Sequence, residues 1–240
     1  MHWSDDAIIL SARKHGETSV IVQALTRDHG RHAGLVRGGV GRASRGVLQP
    51  GNEVRATWKA RLPDHLGSYA TELSKARAAH VLADPDRLSA LSSACALAEA
   101  ALPEREPHAA AFDGFVVLLE ALESGDHWPE VYVSWELGLL KELGFGLDLT
   151  SCAQTGETEG LAWVSPRTGR AVTGEAGEPY KQRLLALPGF LTGDLSGETS
   201  GRDIRDGLAL TGFFVERHVL APNNLQLPPA RTRFVDKFAE

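Results

Sequence analysis

The chain has 240 residues, 42% hydrophobic and 23% charged, an ordinary soluble globular composition. Two cysteines, Cys95 and Cys152, are too few for a disulfide framework, and a reduced cytoplasmic setting is expected. The net charge of −6 argues against a nucleic-acid ligand only for the whole chain, because residues 1–80 carry a balance of +5 and residues 81–240 one of −11.

At this length two or three domains are expected. The opening MHWSDDAIIL lacks a basic stretch followed by a long apolar one, so no signal peptide is expected. No segment approaches the roughly 20 apolar residues of a membrane span, and no membrane partner is expected.

Residues 1–80 read as β. Residues 7–12 are an apolar run, and residues 18–26 are rich in β-branched side chains. Residues 31–37 pair back across the turn Asp28-His29-Gly30. Then comes a loop, residues 37–46, with Arg37, Arg42 and Arg45, four glycines and no acidic residue. Such a flexible cationic loop suits a polyanion. Residues 53–62 alternate strictly, with Val54, Ala56, Trp58, Ala60 and Leu62 on one face and Arg55, Thr57, Lys59 and Arg61 on the other. Pro63-Asp64-His65 makes a turn, and residues 67–74 form a fifth strand. Five short strands predict a closed or nearly closed barrel of the oligonucleotide-binding (OB) type.

The row Arg55, Lys59 and Arg61 is either a solvated barrel wall or a binding surface. Lys14 and Arg31 extend the cationic surface, as do Arg13 and Arg27. Trp58 belongs to the core. Aromatic side chains for base stacking are scarce (Trp3, Trp58, Tyr69), so binding rests on phosphates and is weakly sequence-selective.

Residues 84–146 read as three helices, opened by Asp84-Pro85, Pro107 and Pro129 and closed by Gly144. Cys95 lies on the apolar stripe of the first and reads as a small buried side chain. Residues 147–180 are polar and glycine-rich, with the texture of a small zinc-binding insert. Cys152 is its one possible ligand where four are needed, so no metal is expected. Trp163, Val164 and Val172 are expected to pack the insert against a helix. Residues 181–240 return to helix, first over 181–191, then over 202–220 after a polar loop at 192–200. The tail, LPPARTRFVDKF, is expected to dock on the domain.

Catalytic signatures are missing: no Walker loop, GxGxxG, GxSxG or HExxH occurs. Neither catalytic residues nor a cofactor is expected.

In order, His15-Gly16-Glu17-Thr18-Ser19, Leu25-Thr26-Arg27-Asp28-His29-Gly30, Leu35-Val36-Arg37-Gly38-Gly39 and Leu48-Gln49-Pro50 resemble the RecO family of bacterial recombination mediators. Leu140-Lys141-Glu142-Leu143-Gly144-Phe145, Leu149, Cys152, Val164-Ser165-Pro166 and Gly169 extend the resemblance over nearly the whole chain. It implies an α+β multidomain protein. An OB-fold would span residues 1–80, and a helical domain residues 81–146 and 181–240. Residues 147–180 would be a zinc-finger-like insert. It implies binding and annealing of single- and double-stranded DNA, binding of the acidic C-terminal tail of SSB, and loading of RecA with RecR. A cytoplasmic, nucleoid-associated location follows. Many members carry two cysteine pairs in the insert; here Thr155 takes the second position and no cysteine follows Cys152, so zinc is not carried over. The alternative is a protein-interaction adaptor whose basic barrel binds an acidic partner without touching DNA.

Overall fold

The computed structural model describes residues 1–193 and 198–238. It divides into two compact units, Met1–Asp126 with Pro228–Phe234, and His127–Leu227 with Val235–Glu240. Among the described residues no helix is long and apolar enough to cross a membrane.

The first unit begins with an OB-type barrel of five strands: β1 (His2–His15), β2 (Ser19–Thr26), β3 (Gly30–Val36), β4 (Glu53–Lys59) and β5 (Ser68–Lys75). A short helix, α1 (Arg42–Val47), lies between β3 and β4. The order around the barrel is β1-β2-β3-β5-β4. β1 serves both neighbours: His2 to Ile8 pair with β4, and Ala7 to His15 with β2. The register shifts between Ile9 and Ser11, a bulge that bends the strand as a small barrel requires. β3 and β5 meet at one parallel pair, Leu35 with Ser68, so the barrel is only just closed along that seam.

Alternation fills the interior with Val20, Val22, Ala24, Val54, Ala56 and Trp58. The buried Trp58 indole N–H donates to the Leu66 carbonyl at 3.0 Å. Leu62 departs from the expected row: β4 ends at Lys59, and Leu62 lies exposed in the following turn. Gly30 has φ +69°, and a Cβ there would sit 2.0 Å from the Glu106 carbonyl oxygen, so the β2–β3 turn needs glycine for both conformation and space.

Three helices complete this unit before its closing segment: α2 (Arg77–Val81), α3 (Pro85–Ala101) and α4 (Ala109–Ser124). Asp84 caps α3 by accepting from the N–H groups of Asp86 (2.9 Å) and Arg87 (3.2 Å), with Pro85 in the first turn. Cys95 is buried on α3, its thiol pushed by burial up to about 12. Phe112, Phe115, Leu118, Leu119 and Leu122 form the buried face of α4.

The Arg77 side chain, 2% exposed, binds Glu53 on β4 and Glu120 and Glu123 on α4. Burial opposes its charge, but the Glu53 and Glu123 carboxylates prevail and raise its pKa.

The second unit holds α5 (Trp128–Glu142), a sheet of β6 (Leu161–Val164), β7 (Ala171–Thr173) and β8 (Leu185–Ala186) in the order β7-β6-β8, the short α6 (Gly174–Gly177), and α7 (Gly201–Phe214). Ser200 and Asp203 form a reciprocal cap at the start of α7. On buried sides of α5 and α7, the Thr211 hydroxyl donates to Glu136. The helix expected over 181–191 is instead a 3-10 turn, Glu178–Arg183, followed by β8, because Pro188-Gly189 leaves too little chain for helical turns. The helix expected to reach 220 is α-helical to Phe214 and widens to a π-turn over Val215–Leu220. Residues 194–197 of the expected polar loop lie outside the described residues. The tail forms α8 (Pro229–Val235), with Phe234 fully buried.

Two measurements follow from this packing. Arg77→Met leaves Glu53 and Glu123 without their counter-ion and Glu120 with only Lys75 at 4.0 Å, and should cost about 3 kcal/mol in urea unfolding; a loss under about 1 kcal/mol would remove Arg77 as a structural anchor. His32 is buried edge-on to Trp58 at 4.8 Å and donates from Nδ1 to the Ala33 carbonyl at 2.9 Å. Burial, chiefly, lowers its pKa from 6.5. The unfolded chain therefore takes up the proton first, and stability is full above about pH 6.5 and falls as pH drops toward the folded value. Urea midpoints from pH 8 to 5 should show this decline, and His32→Gln should flatten it; an equal decline in both proteins would exclude His32 as the cause.

Candidate nucleic-acid interface

β3 leaves the barrel at Val36 and delivers Arg37 to the rim beside the β1–β2 hairpin. Across the strands, Lys14 faces Val20 and Val20 faces Val36, so Lys14 and Arg37 emerge at the same end. Residues 38–41 then turn back: the Gly41 N–H donates to the Gly38 carbonyl at 3.0 Å, and Val40 N–H to the Thr18 carbonyl at 3.3 Å. Arg42 opens α1, and the Arg45 N–H donates to the Gly41 carbonyl at 3.0 Å. The expectation of an irregular loop over residues 37–46 is thus corrected, because its second half is helix.

Asn52 organises this segment. It is 2% exposed, and its Nδ2 donates to the carbonyls of Gly46 (2.8 Å) and Val47 (3.2 Å), satisfying the end of α1. Its Oδ1 accepts from the Ala78 N–H at 3.0 Å on α2. One amide therefore ties the cationic segment to the helices of its own unit. Sequence reasoning missed Asn52; Pro50-Gly51 marks a turn there, but not the side chain's partners.

Lys14, Arg37, Arg42 and Arg45 are exposed and enter no ion pair or side-chain hydrogen bond among the described residues. Glu17, in the nearby hairpin turn, pairs with none of them. Lys14 and Arg45 also line one groove of about 310 Å³.

The other basic residues differ. Arg31 donates to the Leu102 carbonyl (2.8 Å) and to Gln23 (3.2 Å). Arg13 pairs with Glu99 at 2.7 Å, and Arg27 with Asp113 at 3.1 Å. Arg55 is exposed but held by Asp6 at 3.0 Å and the Ser4 carbonyl at 3.1 Å. It lies opposite Asp6, and Lys59 opposite His2, roughly 25 Å or more along β1 from Lys14. Arg61 is exposed in the turn beyond β4, nearer Lys59 than the loop. The eight candidate residues therefore fall into a bare cluster of four at one rim, a separate exposed pair in Lys59 and Arg61, and two engaged arginines.

Trp3 stacks on His29 with ring centres 4.1 Å apart, and the His29 Nδ1 lies 2.9 Å from Asp5, so one face of each ring is taken up by the other. In the insert, Cys152 is buried. Burial would raise its thiol pKa, but the Thr155 hydroxyl and the N–H groups of Thr173, Thr155 and Gln154 bring it to about 6. A zinc site needs four nitrogen or sulfur donors. Cys152 is surrounded by threonine hydroxyls and backbone, so these residues do not fit that ion. Among the described residues no group of three or more His, Cys, Asp or Glu could hold a metal.

The family described as Recombination protein O N terminal matches residues 1–77, and Recombination protein O C terminal matches residues 82–226. The chain is 58% identical over 240 residues to the DNA repair protein RecO of Rhodospirillum centenum, covering 99% of this chain and 95% of that one. To the DNA repair protein RecO of Rhodospirillum rubrum it is 53% identical over 242 residues, covering 99% and 96%. To that of Phenylobacterium zucineum it is 53% identical over 240 residues, covering 100% and 98%.

Asn52→Leu should expose how far the segment depends on one amide. It orphans two carbonyls and the Ala78 N–H, and should cost about 2 kcal/mol of stability. Hydrogen exchange should quicken selectively over residues 42–48; unchanged exchange there would show that α1 stands without Asn52.

Proposed function

Since the chain belongs to the RecO family, a family of DNA repair and recombination, we propose that it binds DNA through the cluster Lys14, Arg37, Arg42 and Arg45. The observation carrying this reading is that these four cations are gathered at one barrel rim and left without internal partners. Phosphates are the ligand that fits: they are anionic, repeated, and indifferent to base identity. Lys59 and Arg61 form a secondary contact, and Arg31 and Arg55 serve the fold.

The protein is a non-enzymatic mediator. By neutralising phosphates at its rim it anneals complementary strands. With RecR it helps to load RecA onto single-stranded DNA covered by SSB, and it meets SSB through that protein's acidic tail. Family membership supports these partners. A surface with few free aromatic rings suits annealing, since most bases are left unstacked on the protein and free to stack within a new duplex.

A labelled single-stranded oligonucleotide followed by anisotropy over a salt series tests the reading. Four phosphate contacts give a slope of about −2.8 in log K against log salt, or about a fiftyfold loss between 50 and 200 mM. The Lys14/Arg37/Arg42/Arg45→Ala variant should lose most of that slope, and Arg31→Ala should keep it. No binding at low salt would overturn direct DNA contact and leave a barrel that binds an acidic protein.

A further inference from the structure

The rim groove has a feature that phosphate binding does not explain. Lys14 and Arg45 share it with Val20, Val40, Leu48 and Pro50, so cations stand beside an apolar wall. A surface built for phosphates alone needs no apolar recess. We infer that this groove seats the base and sugar of one unpaired nucleotide, with its phosphates held by Lys14 and Arg45. The inference rests on the DNA-binding reading above.

Size agrees with one nucleotide. At about 310 Å³ the groove lies at the lower end of the roughly 300–1,000 Å³ typical of small-molecule sites. It is too small for a duplex edge. A paired base enters only if it is flipped from its stack, at a cost of a few kcal/mol, so the seat favours single strands. The walls are fixed before ligand arrives. Val40 is tied to Thr18 through its N–H, and the end of α1 is tied by Asn52. Rigid walls reduce the ordering cost of binding. Gln49 also lines the groove, and its amide can donate and accept, so it can bond the edge of any base. Aliphatic walls with an adaptable amide give contact without sequence choice.

The test compares two single-stranded decamers with equal phosphate counts, one of thymidines and one abasic throughout. Both are measured by anisotropy over the same salt series with the full chain. A second protein, Ala12→Leu, fills the groove without altering charge; Ala12 is an exposed groove residue on β1. The wild type should bind the abasic decamer roughly fivefold more weakly, about one base's worth of apolar contact. Ala12→Leu should bind both decamers alike, with the wild-type salt slope. Equal wild-type affinity for the two decamers would overturn the nucleotide seat while leaving the phosphate reading intact. A base preference that survives in Ala12→Leu would also overturn it, by placing the base elsewhere. Failure to bind either decamer would overturn both readings.

Discussion

The Arg77 guanidinium is held by one carboxylate of the barrel and two of a helix, Glu53, Glu120 and Glu123. A charge in so dry a place is tolerated only because its partners are fixed around it. That constraint sets the start of β4 against α4. Asn52, one residue before Glu53, is placed by the same anchor and spends its amide on α1 and α2. The cationic rim is therefore joined, through Asn52 and Glu53, to the ion-pair cluster of Arg77.

Two kinds of arginine follow from this architecture. Arg13, Arg27 and Arg31 reach the helices that cover the barrel and bind Glu99, Asp113 and the Leu102 carbonyl. They lie where the barrel meets other elements of its own unit. The side chains of Lys14, Arg37, Arg42 and Arg45 reach no such partner among the described residues. The covering helices engage Arg13, Arg27 and Arg31, and β1 itself engages Arg55 through Asp6 and the Ser4 carbonyl.

This distinction is also where the sequence ceased to be legible. The five strands were readable because alternation and turn residues are local signals, and Trp58 and Cys95 fell on apolar rows where burial was the natural outcome. The pairing of Arg13 with Glu99 spans 86 residues, so no local pattern reveals it. α1 was equally hidden: Arg42-Ala43-Ser44-Arg45-Gly46-Val47 is short and carries a glycine, and the Asn52 amide just beyond its end satisfies its last carbonyls. The 3-10 turn before β8 was misread because an apolar stretch beside Pro188 carries no clear period. The excess of arginines in residues 37–46 was legible as composition, whereas the pairing of Arg55 with Asp6 across two strands was not.

Leaving four cations unpaired costs the fold little. Two like charges about 8 Å apart in water repel by only about 0.5 kcal/mol, and physiological salt reduces this further. Pairing each with a carboxylate at the surface would add little stability in return. The same charges meeting phosphates release counterions, an effect that grows with each contact. Exposed cations are thus cheap to keep bare and effective only when an anion with many charges arrives, whereas the buried Arg77 could not be left bare at all. Arg77, buried on α2, stands among carboxylates, and the inexpensive charges stand at the barrel rim.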